Sequence, residues 1–148
     1  MTDLLEYVRS SLRRAETGEL DSQEGSHLSG VFGRAAKRFE SEVKTWANGL
    51  LLRSGIDYDA QLRSHVEASL EFSRLTIGNL VVVLREAAKL RGARGKPAFT
   101  LDSQLLATFM KINKTWVCIK HGEEPPKTEL VDRLRNMERA VTQIRTPP

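Results

Sequence analysis

The sequence predicts an all-α protein, an antiparallel helical bundle with four core helices and peripheral helices beside them. Three observations carry that prediction. Apolar residues recur at steps of three and four in nearly every segment, which holds them on one face of a 3.6-residue helix. No stretch alternates apolar and polar residues for long enough to make a strand. The breaks between periodic segments carry Gly, Pro or a capping residue, and the short ones imply antiparallel neighbours.

Length and composition set the frame. The 148 residues fit one helical domain, 1–148, large enough to bury a continuous core. Hydrophobic residues are 40% and charged residues 28% of the chain, too apolar for disorder and too evenly charged for a membrane protein. The longest apolar run is Leu80 to Leu84, against the roughly 20 residues of a membrane span. Met1-Thr2-Asp3-Leu4-Leu5-Glu6 lacks the basic start and apolar stretch of a secretory signal. Cys118 is the single cysteine, in keeping with a reducing compartment. The expectation is a cytoplasmic protein with no membrane partner.

The elements follow in order. Leu4, Leu5, Val8 and Leu12 predict a short peripheral helix ending before Gly18. Glu19 to Ser26 is polar and reads as a loop closing on Ser26 as an N-cap. A long helix then carries Leu28, Phe32, Ala35, Phe39, Val43, Trp46 and Leu50 on one stripe, and Ser54-Gly55 ends it. Tyr58, Leu62, Val66 and Leu70 predict a third helix, bent or broken near Leu75-Thr76-Ile77-Gly78, with Thr76 capping the next. That fourth helix runs through Leu80, Val83, Leu84, Ala87 and Leu90 to Gly92.

Thr100 or Asp102 caps a fifth helix whose predicted core positions are Leu105, Phe109, Ile112, Trp116 and Ile119, and it stops at His121-Gly122. Glu123-Glu124-Pro125-Pro126 is a hard break, since proline lacks the helical N–H and biases its predecessor to extended backbone. The last helix uses Leu130, Leu134, Met137, Val141 and Ile144, with Glu129 four residues ahead of Arg133 as a supporting pair.

Charge gives a modest pointer to acidic partners: the formal net charge is +4. Lys89, Arg91, Arg94 and Lys96 lie beside Gly92, Gly95 and Pro97 with no acid from Ala87 to Ala98. This is a basic loop, read either as a solvated helix end complementing the macrodipole or as a phosphate contact. On the fifth helix Lys114 and His121 project opposite the core stripe, seven residues and about 10 Å of axis apart, with Cys118 between them. Met110 and Val117 add a second, weaker apolar stripe, so Met110, Val117 and Cys118 are a candidate dimer or partner surface. His121 beside Gly122 also fits a helix-terminal residue favoured by the dipole. Cys118 also fits a small half-buried hydrophobe, and Trp46 and Trp116 fit core anchors. His27 and His65 have no metal-ligand spacing, and no glycine-rich phosphate loop occurs. No metal or cofactor is expected.

Leu105 to Gln143, centred on Lys114-Thr115-Trp116-Val117-Cys118-Ile119-Lys120-His121-Gly122-Glu123, resembles the C-terminal part of prokaryotic HEPN domains. The upstream segment Leu75-Thr76-Ile77-Gly78-Asn79-Leu80-Val81-Val82-Val83-Leu84-Arg85-Glu86 is similar to one often seen in the same families. Together they cover about a third of the chain. The resemblance implies a helical bundle that dimerises about the signature helix. It also implies metal-independent RNA cleavage, or RNA or nucleotide binding, in bacterial toxin-antitoxin or phage-defence systems, with an antitoxin or defence component as partner protein. In that reading His121 is the acid-base residue, Lys114 binds phosphate, and Lys120, Lys89, Arg91, Arg94 and Lys96 extend the basic surface. The sequence departs from the family pattern at the signature arginine. Trp116 stands five before His121, and Lys114, seven before it, lacks the bidentate fork of a guanidinium. The second reading is a non-catalytic helical adaptor that binds a partner protein through Met110, Val117 and Cys118.

Overall fold

Capping chemistry sets the helix boundaries in the structure, a computed structural model that describes residues 3–18, 27–90 and 99–146. Asp3 caps α1 (Leu4–Glu16) by accepting from the Leu5 N–H. The long α2 (His27–Arg53) ends as Ser54-Gly55 predicts. Gly55 takes φ +70, its N–H bonds the Leu52 carbonyl, and the Ile56 N–H bonds the Leu51 carbonyl. This is the paired Schellman closure, with buried Ile56 and Leu51 at its hydrophobic positions. Asp57 caps the one-turn α3 (Tyr58–Gln61). Thr76 caps α4 (Ile77–Lys89) in a reciprocal box with Asn79. Asp102 is the cap of α5 (Ser103–Lys120), accepting from Gln104 and Leu105 N–H groups. Pro126 precedes α6 (Lys127–Arg145).

Of the described residues 80% are helical and none is in a strand, so the fold is all-α, as the periodicity predicts. No helix among the described residues is long and apolar enough to cross a membrane. The predicted cap Ser26, the stop at Gly92 and the basic residues Arg91, Arg94 and Lys96 lie outside the described residues.

Two predicted stripes change course. On α2, Leu28, Phe32, Ala35, Phe39 and Val43 are fully buried, but the line continues through Ala47 and Leu51, leaving Trp46 and Leu50 half-buried. A four-three repeat averages 3.5 residues against 3.6 per turn and drifts about 20° per heptad, so the buried line moves on by one position. The predicted third helix survives only as α3. Three short 3-10 turns follow at Arg63–His65, Glu67–Ser69 and Phe72–Arg74. Side chains there capture carbonyls that a helix would use: Arg63 donates to the Ser69 carbonyl and Tyr58 to that of Leu70. Ala68 and Ser69 sit at φ 63 and 48, a left-handed backbone that costs roughly 1–2 kcal/mol per residue outside glycine. Tyr58, Leu62 and Val66 are buried nonetheless, so the apolar spacing was read correctly while the backbone between those residues was not.

The chain divides into two compact units, Met1–Phe39 with Lys111–Pro148, and Glu40–Met110. In the second unit Trp46 meets Phe109 edge-on at 5.9 Å, Tyr58 meets Phe72 at 5.4 Å, and Lys44 donates to the Ser73 carbonyl. In the first unit α1 is less peripheral than its length implies. It buries Leu4, Val8, Leu12 and Ala15 and packs on α6, which buries Leu130, Leu134, Met137 and Val141. Three ion pairs fix the pairing as antiparallel: Asp3 with Arg145, Arg9 with Glu138 and Glu16 with Arg135. On α6, Arg133 donates to Asn136.

The Asp3–Arg145 pair is bidentate, at 2.8 and 2.9 Å. The Arg145 hydrogen bonds hold the Asp3 carboxyl down to about 2, from an ordinary 3.8. Because the folded value is the lower one, this pair contributes stability above pH 3.8 and loses it as pH falls through about 2. A carbon-detected NMR titration is expected to place the Asp3 midpoint near 2 in the native chain and to return it toward 3.8 in Arg145→Ala. A midpoint unmoved by that substitution removes Arg145 as the cause.

Candidate functional site

In the first unit a stripe of α2 carries Gly30, Gly33, Arg34 and Lys37, related by steps of three and four and so on one face. Arg34 and Lys37 are exposed; Gly33 is buried. Two glycines inside a helix cost about 1 kcal/mol each relative to alanine, and at Gly33 there is a reason for one. A Cβ built there would lie 3.0 Å from Cζ3 of Trp116. The bare backbone of α2 is where the indole rests. Trp116 was predicted as a core anchor, yet it and Ile119 are only half-buried. Lys120, one turn on, places its ammonium 5.4 Å from the Trp116 ring centroid, a cation–π contact.

The end of α5 shapes the opposite wall. Gly122 takes φ +84, its N–H bonds the Ile119 carbonyl, and the Glu123 N–H bonds that of Cys118. This Schellman closure turns the chain so that Glu123 and Glu124 follow on from Trp116. Between the walls lies an open cavity of about 760 Å³. Arg34 and Lys37 line one side, Trp116 and Ile119 another, and Glu123 and Glu124 the rim. Ser29 lines it too. It is 6% exposed, and its hydroxyl has no hydrogen-bond partner among the described residues.

The sequence-predicted residues fall around this cavity unevenly. Lys120 makes a cation–π contact with one lining residue, Trp116, and does not itself line the cavity. His121 and Lys114 are exposed and are not among its lining residues. Lys114 acts on Cys118 from one turn away, in a neighbourhood that also holds Glu123 and Glu129. The Cys118 thiol is pushed above its ordinary pKa, first by its hydrogen bond to the Glu123 carboxylate, then by burial and the nearby carboxylate charges. That holds it in the neutral, weakly nucleophilic form at neutral pH. Val117 and Cys118 are half-buried, and Met110, in the other unit, is 39% exposed. Lys89 pairs with Glu86 at 3.1 Å, an exposed i,i+3 contact.

Sequence reasoning did not single out Gly30, Gly33, Arg34 or Lys37. The signal was present as two glycines three apart inside an otherwise strong helix, each followed four residues later by a cation. Comparison of the chain with protein-family models, with curated proteins and with solved structures finds no match.

The two glycines are expected to respond differently to alanine. At Gly30 the nearest atom to an added Cβ is the end of Arg34, at 3.9 Å, so Gly30→Ala should raise stability by about 1 kcal/mol. Gly33→Ala should gain less or lose stability, because overpacking opposes the helix term, and it should shift the emission of Trp116. Urea melts and fluorescence in a Trp46→Phe background report both. Equal gains with unchanged emission would mean that Gly33 does not position the indole.

Proposed function

We propose that this protein binds single-stranded RNA, and that the cavity beside Trp116 is where one nucleotide is held. The carrying observation is a half-buried aromatic ring beside two exposed cations in one cavity: Trp116 rests against Gly33, Arg34 and Lys37 line the same space, and Lys120 makes a cation–π contact with the ring. Single-stranded nucleic acids are held in this way, by bases stacked on aromatic faces and backbone phosphates drawn into basic grooves. The about 760 Å³ of space lies within the roughly 300–1,000 Å³ typical of small-ligand sites. Arg34 presents a guanidinium fork that matches two phosphate oxygens, and Lys37 a mobile point charge. The Glu123 and Glu124 carboxylates, which line the same cavity, offer acceptors for ribose hydroxyls and base amino groups.

Binding is favoured over cleavage. Cleavage through the ribose 2′-hydroxyl needs an acid-base group in hydrogen-bond reach of the reacting oxygen, and the imidazole of His121 stands outside the lining of this cavity. Lys114, the partner implied by the HEPN resemblance, likewise stands outside that lining.

Affinity for a fluorescent single-stranded oligoribonucleotide, measured by anisotropy, tests the proposal. Base stacking is worth about 1–3 kcal/mol by alanine substitution, so Trp116→Ala should weaken binding by roughly five- to a hundredfold. Lys37→Glu should weaken it further at low salt than at high salt. His121→Ala should leave affinity unchanged, and no cleavage should appear in metal-free buffer. Cleavage by the native chain that His121→Ala abolishes would replace binding with catalysis. Affinity indifferent to both Trp116 and Lys37 would move the RNA elsewhere on the protein.

A further inference from the structure

A second basic site is built where α1 meets α6. Arg9 and Arg13 lie one turn apart on α1, Arg135 and Arg139 one turn apart on α6, and the antiparallel pairing brings all four to one cavity of about 610 Å³. Glu16 and Glu138 share it, each holding one arginine at 3.2 and 3.0 Å. Arg13 and Arg139 are exposed and have no partner among the described residues. Four arginines line it with two glutamates, and Asp132 also holds Arg135, at 3.5 Å, so these three carboxylates leave a net charge of +1. Arg13 lies in the last turn of α1, where a cation complements the helix dipole. Arg139 lies inside α6, away from its last turn, so its placement has no such explanation.

We infer that this groove is a binding site for a dianionic phosphate monoester. Two uncommitted guanidiniums flanking one cavity supply the unpaired positive charge, and each can engage two phosphate oxygens, which is the geometry that arginine provides and lysine does not. Buried Leu12 lines the same groove, and a low-dielectric wall beside like charges focuses the field on an anion. The ion pairs already present do not close the site. Their partners are about half exposed, Arg9 at 52% and Arg135 at 51%, and pairs of that kind contribute little and exchange readily. The inference does not depend on RNA being held at Trp116. The shared ligand chemistry is the terminal phosphate, whether on a free nucleotide or on the end of an RNA.

Calorimetric titrations of the full chain at low salt test it, using inorganic phosphate, adenosine 5′-monophosphate, adenosine, and an oligoribonucleotide with and without a 5′-phosphate. Phosphate and the monophosphate should bind and adenosine should not. Arg13→Ala with Arg139→Ala removes two charge-assisted hydrogen-bonding groups and should weaken monophosphate binding by about a hundredfold or more. Lys in both positions should restore only part of it. Both side chains are exposed, and an unchanged circular dichroism spectrum separates lost binding from lost folding. Tighter binding of the 5′-phosphorylated oligonucleotide than of its 5′-hydroxyl twin, abolished by the double substitution, identifies an RNA end as the source. Equal binding of the twins, with monophosphate binding still sensitive to the arginines, identifies a free monoester. Monophosphate affinity unaffected by the double substitution overturns the site, as does native protein that binds no phosphate. Trp116→Ala separates the two proposals, since it should abolish oligonucleotide stacking and leave phosphate binding at the arginines intact.

Discussion

The candidate site depends on one close approach, that of the Trp116 indole to the backbone of α2 at Gly33. Any side chain at that position would hold the ring away, because even a methyl carbon would meet it at 3.0 Å. With glycine there, the indole rests against the helix half-buried, one part packed and one part facing the cavity. From that placement the rest follows. Lys120 lies one turn beyond Trp116 and places its ammonium 5.4 Å from the ring centroid, while Arg34 and Lys37 sit on the same stripe of α2 as the glycine. The turn at Gly122 then brings the two glutamates to the rim. A buried tryptophan would be a core anchor and nothing more. The glycine converts it into one wall of a cavity lined by Arg34 and Lys37 and by Glu123 and Glu124.

Helix ends were the most legible part of the sequence, because each has a local chemical cause. Ser54-Gly55, Thr76, Asp102, and His121-Gly122 act where they were read, through hydrogen bonds that involve only residues within a turn. The segment from Tyr58 to Leu70 reads as helix because its apolar spacing is helical, and Tyr58, Leu62 and Val66 are buried on that spacing. Its backbone departs from it because Arg63 and Tyr58 hydrogen-bond to carbonyls six and twelve residues on. Those partners are set by packing, and no periodicity encodes them.

The sites were less legible for a related reason. Reactive residue types drew the sequence reading to Lys114, Cys118 and His121 on one helix, whereas the cavity is assembled from α2 and the end of α5, about 80 residues apart in the chain. Projection onto a single helix placed Trp116 in the core, which is half right: its helix face points inward, and the absence of a side chain at Gly33 leaves the ring partly uncovered. The arginine groove is likewise built from α1 and α6, the first and last helices. Each arginine taken alone reads as an ordinary solvated charge. Only the antiparallel docking of the two helices makes them a cluster.

The most direct measurement of the central claim is the fluorescence of Trp116 during titration with single-stranded RNA, in a Trp46→Phe chain where it is the sole indole. If a base enters the cavity and stacks near the ring, emission falls saturably, with a midpoint equal to the binding constant from anisotropy and a salt dependence reflecting the cations at the site. RNA that binds while leaving Trp116 emission unchanged would contradict the account.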